Sequence, residues 1–539
     1  MKSLSLASLG FAIAALTPSL HAQCQLGKIL PLDGAGGEKF GISAAHSGFF
    51  AIVGTPFDDD MGDWSGSAYV FQRIGQDWVQ AEKLFASDAD EDDRFGFSVA
   101  IAGEYAAVGS RYNQDLGYGT GAVYVYKHVG NDWIETDKLL PLDASPNDLY
   151  GNAIDMTEDY MVVGAHLDTD LGFSAGAAYV YERSGTNWTE VQKLTASDGN
   201  FDDRFGFDVS VAGNTILVGA YGTDPAGPQS GSAYVFERIG GTWVETQKLL
   251  PSDGSADSRF GISMDLDPTR ALIGANFDSQ VATGAGAAYV FEKIAGTWTE
   301  VSKLVAADSG VGDFFGDSVS IQGDRAIVGA FNNDEVGPDA GAVYQYERAP
   351  GGGWNETSKF FSSDIAGSDT FGNAVSLSGN TMLITSRHDD DQGDDSGSAY
   401  FFSIDSRTEM AQDKSIISLS GGGAVTFDIS TCPPRAGDIY ALLGSISGTS
   451  PGIDMGLFTV PLNPDAYFFI SVTAANTYPF ANSSAFLDGA GTAQASFGLA
   501  AGTDSSLAGS ILYHAVVIVD LGTLSAVEAS AADTLTLAF

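Results

Sequence analysis

An aromatic–glycine pair recurs at Phe40-Gly41, Phe95-Gly96, Tyr150-Gly151, Phe205-Gly206, Phe260-Gly261, Phe315-Gly316 and Phe371-Gly372, spaced by 55 residues five times and then by 56. A period of this length means that one supersecondary unit is copied, and that each copy must bury its faces against its neighbours. The second copy shows four short runs rich in Val, Tyr, Ile and Phe, at 95–102, 105–109, 121–126 and 133–139, bounded by Gly and Asp. Such runs are strand signals, and four strands per copy predict a propeller blade. The spacing therefore predicts an all-β fold with a seven-bladed β-propeller over residues 23–407.

Two aromatic columns follow the same period. Tyr69, Tyr124, Tyr179, Tyr234, Tyr289, Tyr344 and Tyr400 form one, and Trp78, Trp133, Trp188, Trp243, Trp298 and Trp354 the other; both suit packing between blades. The seventh copy lacks the strand that carries the tryptophan, while an orphan run, LGKIL, stands at 26–30. Lys28 lies 55 residues before Lys83, so the orphan is in register to complete the last blade and close the ring.

Ahead of the repeats, residues 1–22 read as an export signal: Lys2, an apolar stretch, then small residues ending at Ala22. Export predicts a secreted, extracellular or cell-surface protein, without membrane insertion, in an oxidising compartment. The only two cysteines, Cys24 and Cys432, are expected to pair there in a disulfide. With 69 acidic against 25 basic residues the net charge is −44, which argues against nucleic acid and anionic membrane surfaces as partners. Beyond the repeats, 408–539 is rich in Gly, Ala and Ser with about seven short apolar runs, a pattern that predicts a C-terminal β-sandwich.

The FG pairs, the VG glycines Gly54, Gly164 and Gly219, and SGSAYVF at 65–71 resemble FG-GAP repeats, as found in the integrin α-subunit head and in bacterial secreted proteins. The resemblance implies adhesion or ligand binding by loops on one propeller face, with calcium in some blades. The integrin-type calcium loop DxDxDGxxD has no full copy here. A shorter form places Asp58, Asp60 and Asp63 in blade one, Asp168 and Asp170 in blade three, and Asp389, Asp391 and Asp394 in blade seven. Alternating carboxylates beside a turn glycine suit a hard cation such as calcium, and equally suit an Asx-type turn with exposed acids. A second acidic series, such as Asp88/Asp93 and Asp143/Asp148, precedes each FG pair and is read as bracing the loops between blades.

The histidines are scattered without metal-type spacing, and the GxSxG letters at 172–176 fall in a loop between strands, where no nucleophile elbow forms. No catalytic residue stands out, so the chain is read as a non-enzyme. Trp64, alone outside the tryptophan column, and Arg387 and His388 of blade seven, its neighbour in a closed ring, are the candidate ligand contacts. The expected partner is an extracellular protein or glycan. The readings kept open are an extracellular carbohydrate-active lyase or hydrolase, and a structural component of an envelope or matrix.

Overall fold

The computed structural model describes residues 25–75 and 77–404, and within 408–538 the backbone of the strands. Cys24, Cys432 and the export signal at 1–22 lie outside the described residues. Every regular element among the described residues is a strand.

Residues 25–404 form seven four-stranded antiparallel sheets, each a blade. Blade two is Phe95–Ala102, Tyr105–Ser110, Ala122–Val129 and Asp132–Leu139, paired in sequence order from the axis outward. Blade seven takes its outermost strand from the start of the chain. Gln25–Ile29 pairs antiparallel with Ser398–Ser403, with Lys28 opposite Tyr400. The ring thus closes by main-chain hydrogen bonds between residues more than 360 positions apart, leaving blade seven no missing strand.

The core lies between blades. Tyr124 and Phe95 of blade two pack with Val70 and Leu84 of blade one, and Tyr179 of blade three with Val123 and Val125 of blade two. Each FG aromatic meets the tyrosine of its own blade edge-on, as Phe95 meets Tyr124 at 5.4 Å. The tryptophans seal the outer ends: Trp78 stacks on Phe401 of blade seven at 4.0 Å, and Trp133 meets Phe50 of blade one at 5.3 Å.

At six of the seven junctions three glycines let three backbones touch; where blade seven meets blade one, Thr385 replaces one of them. A Cβ at Gly54 would stand 1.9 Å from the Gly96 carbonyl, and one at Gly96 would stand 2.1 Å from the Ser67 carbonyl. At Gly66 it would stand 2.1 Å from the Phe95 carbonyl. All three contacts are far inside van der Waals range, so the VG, SG and FG glycines of the repeat are one device for close packing of successive blades.

The innermost strands line a central channel. There half-buried aspartates of three successive blades bind the next blade's main chain. Asp155 accepts from Val211 N at 2.7 Å and Ser210 Oγ at 3.0 Å, Asp208 from Met264 N at 2.6 Å, and Asp265 from Ile321 N and Ser320 Oγ, both at 2.7 Å. Beyond 408 the strands pair into a four-stranded sheet, a six-stranded sheet and a small two-stranded one.

Candidate functional site

Two sets of loops share one face of the ring: those between the second and third strands of each blade, and those that lead from one blade into the next. The acids singled out in the sequence lie here, and a lysine from the fourth strand meets them. Lys83 Nζ lies 2.9 Å from Asp33, 2.7 Å from Asp58 and 2.7 Å from Asp60. Lys193 repeats this with Asp143, Asp168 and Asp170 at 2.7, 2.8 and 2.7 Å. Lys28, from the N-terminal strand, does so with Asp364, Asp389 and Asp391 at 2.8, 3.0 and 2.7 Å. The column tyrosine completes each cluster: Tyr69 donates to Asp33 at 3.0 Å, and Lys83 rides over its ring at 5.1 Å. Burial would push the Asp33, Asp143 and Asp364 carboxyls up, but hydrogen bonds from lysine and tyrosine outweigh it and hold them below the ordinary range.

These carboxylates therefore already hold a cation, the lysine ammonium. Asp58 also accepts from Ser67 Oγ and, at Oδ1, from Asp60 N, the Asx turn of the alternative reading. The backbone carbonyls of Asp63 and Asp394 accept from Asp92 N and Gly37 N in the following interblade loop. Among the described residues no three His, Cys, Asp or Glu side chains are grouped to hold a metal ion. The donor set fits an ammonium, and calcium would have to displace it. The second acidic series braces its loops: Asp93, Asp148, Asp203, Asp313 and Asp369 each accept from the backbone N–H three residues earlier.

At the centre of this face the channel opens into a cavity of about 480 Å³ lined by Phe97, Arg111, Asn152, Phe207 and Asp317 at the mouth and by Asp155, Ser210 and Asp265 deeper in. Arg387 and His388 stand at the rim. Arg387 lies over Phe331 of blade six at 5.7 Å, and His388 Nδ1 pairs with Asp395 at 2.6 Å. Lys39 lies 3.6 Å from Asp395 and 5.8 Å from the Phe57 ring, which meets Trp64 edge-on at 6.0 Å. Trp64 and His388 thus belong to one run of contacts, with Trp64 49 % exposed at its outer end.

The sequence reading missed the mouth itself. At one repeat position, the residue just after the second strand, the seven copies carry Pro56, Arg111, His166, Tyr221, Asn276, Phe331 and Arg387. Another, just after the FG glycine, carries Ile42, Phe97, Asn152, Phe207, Ile262, Asp317 and Asn373. Aligning the copies on their FG pairs exposes these columns, because the tyrosine column beside them is invariant. Burial holds His166 neutral, with its pKa pushed down to about 3, and the charges of Arg111 and Arg204 add to this. Burial likewise lowers Arg111 to about 10.

Fold and face together define a seven-bladed propeller with a chemically asymmetric channel mouth. The FG-GAP repeat model matches residues 24–71, 78–126, 133–181, 188–236, 243–291, 298–346 and 354–402, and the chain belongs to that family. No curated protein matches it. Among solved structures, it is similar to the β-propeller domain of the trilobed protease from Pyrococcus furiosus, at 9 % identity over 64 % of this chain and 90 % of that one, TM-score 0.37. It is also similar to an exo-β-1,3-galactanase from Phanerochaete chrysosporium, at 12 % identity over 65 % and 92 %, TM-score 0.28. The acylaminoacyl peptidase from Pyrococcus horikoshii matches at 8 % identity over 73 % of this chain and 57 % of its own, TM-score 0.38. At these values no activity is carried across.

Proposed function

We propose that this chain is a secreted or cell-surface binding protein that takes an extracellular glycan or protein at the loop-face mouth of its channel. One observation carries the reading: the copies keep their packing residues and diverge at the mouth. The tyrosine column is tyrosine in all seven blades, whereas the column of Arg111 and Arg387 holds six residue types in seven positions. Positions that serve the ring face the same demand in every blade. Positions around one asymmetric ligand do not. Capture on a glycan and extracellular-protein array tests this: binding should be lost in an Arg111→Gln, Arg387→Gln variant and kept in a variant altered on the opposite, hairpin face. Binding indifferent to the mouth substitutions would overturn it.

A second reading, a carbohydrate lyase, draws on the same corner. Arg204 is hydrogen-bonded to Tyr221, near the neutral His166, and these are residue types that neutralise a carboxylate and move a proton. Appearance of unsaturated sugar ends on incubation with acidic polysaccharides would decide for catalysis over binding.

A further inference from the structure

We propose that the mouth between blades two, three and four receives the carboxylate of an acidic sugar, with Arg111 as its principal contact. This rests on the mouth being the ligand site and adds the chemical class of the ligand.

Arg111 is a half-buried cation without a counter-ion among the described residues. Its guanidinium carbon lies 3.3 Å from the Phe97 ring centroid and 5.1 Å from that of Tyr112. Nη1 donates to Asn152 Oδ1 at 3.1 Å, a neutral acceptor. Nε is buried with no hydrogen-bond partner, and among the described residues Arg111 forms no ion pair. Its neighbours on this face are answered: Arg94 pairs with Asp92 at 3.1 Å and Arg204 with Asp202 at 2.9 Å. A guanidinium taken from water and left unpaired is costly, and an anion at its open edge would offset that cost.

A second unpartnered polar group stands close by. His166 is 7 % exposed, carries an unpartnered buried Nδ1, and stands edge-on to Phe207 at 5.2 Å. It feels the charges of both Arg111 and Arg204.

The shape of the site selects among anions. A carboxylate matches the flat, two-pronged edge of a guanidinium. Deeper in the same cavity Asp155 and Asp208 would repel a second negative charge, which disfavours polyphosphates and acidic peptides. The remaining walls mix the rings of Phe97 and Phe207 with Ser43, Ser98, Asn152 and Ser210, partners for the C–H faces and hydroxyls of a pyranose. About 480 Å³ is room for one or two sugar units.

Calorimetry on the full chain tests this with three probes: a disaccharide ending in one uronate, the same disaccharide with its carboxyl reduced to the alcohol, and a glutamate-rich peptide. The uronate should bind at least about tenfold more tightly than the other two, and Arg111→Gln should weaken it about ten- to a hundredfold, with Arg111→Lys recovering part. His166→Gln, which removes no charge-bearing ligand, should weaken it severalfold and serves if the arginine variants do not fold. Equal binding of the reduced sugar, preference for the peptide, or no uronate binding overturns the inference. If the array ligand proves neutral yet depends on other mouth residues, the acidic-sugar assignment alone falls; if no ligand depends on the mouth, both readings fall.

Discussion

The backbone carbonyl of Trp64 accepts the N–H of Arg94 at 3.0 Å, and both residues have left-handed backbones, with φ of 56° and 54°. The same pairing recurs around the ring, as in Asp339 with Thr370 at 3.1 Å. It ties the loop within one blade to the loop entering the next, and it sets Trp64 and Arg94 on the loop face, 5.4 Å apart as ring and cation. The left-handed region disfavours side chains branched at Cβ, yet Thr370 sits there at φ 58°. Thr370→Asn should therefore stabilise the protein by about 1 kcal/mol in denaturant melts. Gly96→Ala, whose Cβ would stand 2.1 Å from the Ser67 carbonyl, should cost about 3–5 kcal/mol.

The lysine clusters give a sharper prediction. Asp58 is 0 % exposed and Lys83 is its only ion-pair partner among the described residues. Lys83→Met would leave that charge buried and unanswered, a loss of about 3–5 kcal/mol. If the ammonium occupies the cation position, calcium should raise the melting temperature of the Lys83→Met variant and leave the parent chain unchanged at constant ionic strength. A parent chain that melts earlier in chelator would instead show calcium at work beside the lysines.

How much of this was legible in the sequence follows from what the repeat preserves. Blade count and strand order were legible because Phe95, Gly96, Tyr124 and their equivalents recur at a fixed step. The register of Lys28 with Lys83 was legible too, but not its role, since Asp33, Asp58 and Asp60 reach Lys83 from two loops that only folding brings together. From the sequence alone Asp58 and Asp60 therefore suit either an outside cation or an Asx-type turn, and Asp33 suits a loop brace. Arg111 and His166 were passed over because each follows a strand end in a column with no recurring residue, and divergence is invisible to a search for recurrence. Asp155 and Asp208 look like ordinary polar positions in strand-like runs. Their hydrogen bonds run to the next blade's backbone, about 55 residues on.

These channel aspartates set a pH dependence that can be worked out in sign. Burial pushes the Asp155 carboxyl up to about 6 and that of Asp208 up to about 7, from an ordinary value of 3.8; the charge of Asp265 adds to both shifts, and that of Asp155 adds to the shift of Asp208. A carboxyl whose pKa is higher in the folded chain than in the unfolded one binds more protons when folded. Between the two values the unfolded chain binds fewer protons, so stability falls as pH rises. The window is about pH 4 to 7. The lysine-paired Asp33, Asp143 and Asp364 act the other way, because their lowered values add stability that is lost only as pH falls below the ordinary carboxylate range. Urea midpoints measured from pH 4 to 7 should thus decline for the parent chain. Asp208→Asn, whatever its absolute stability, should flatten that decline, because an amide cannot release the proton. An unchanged slope in the variant would mean that Asp208 is ionised at the same pH in the folded and unfolded chains.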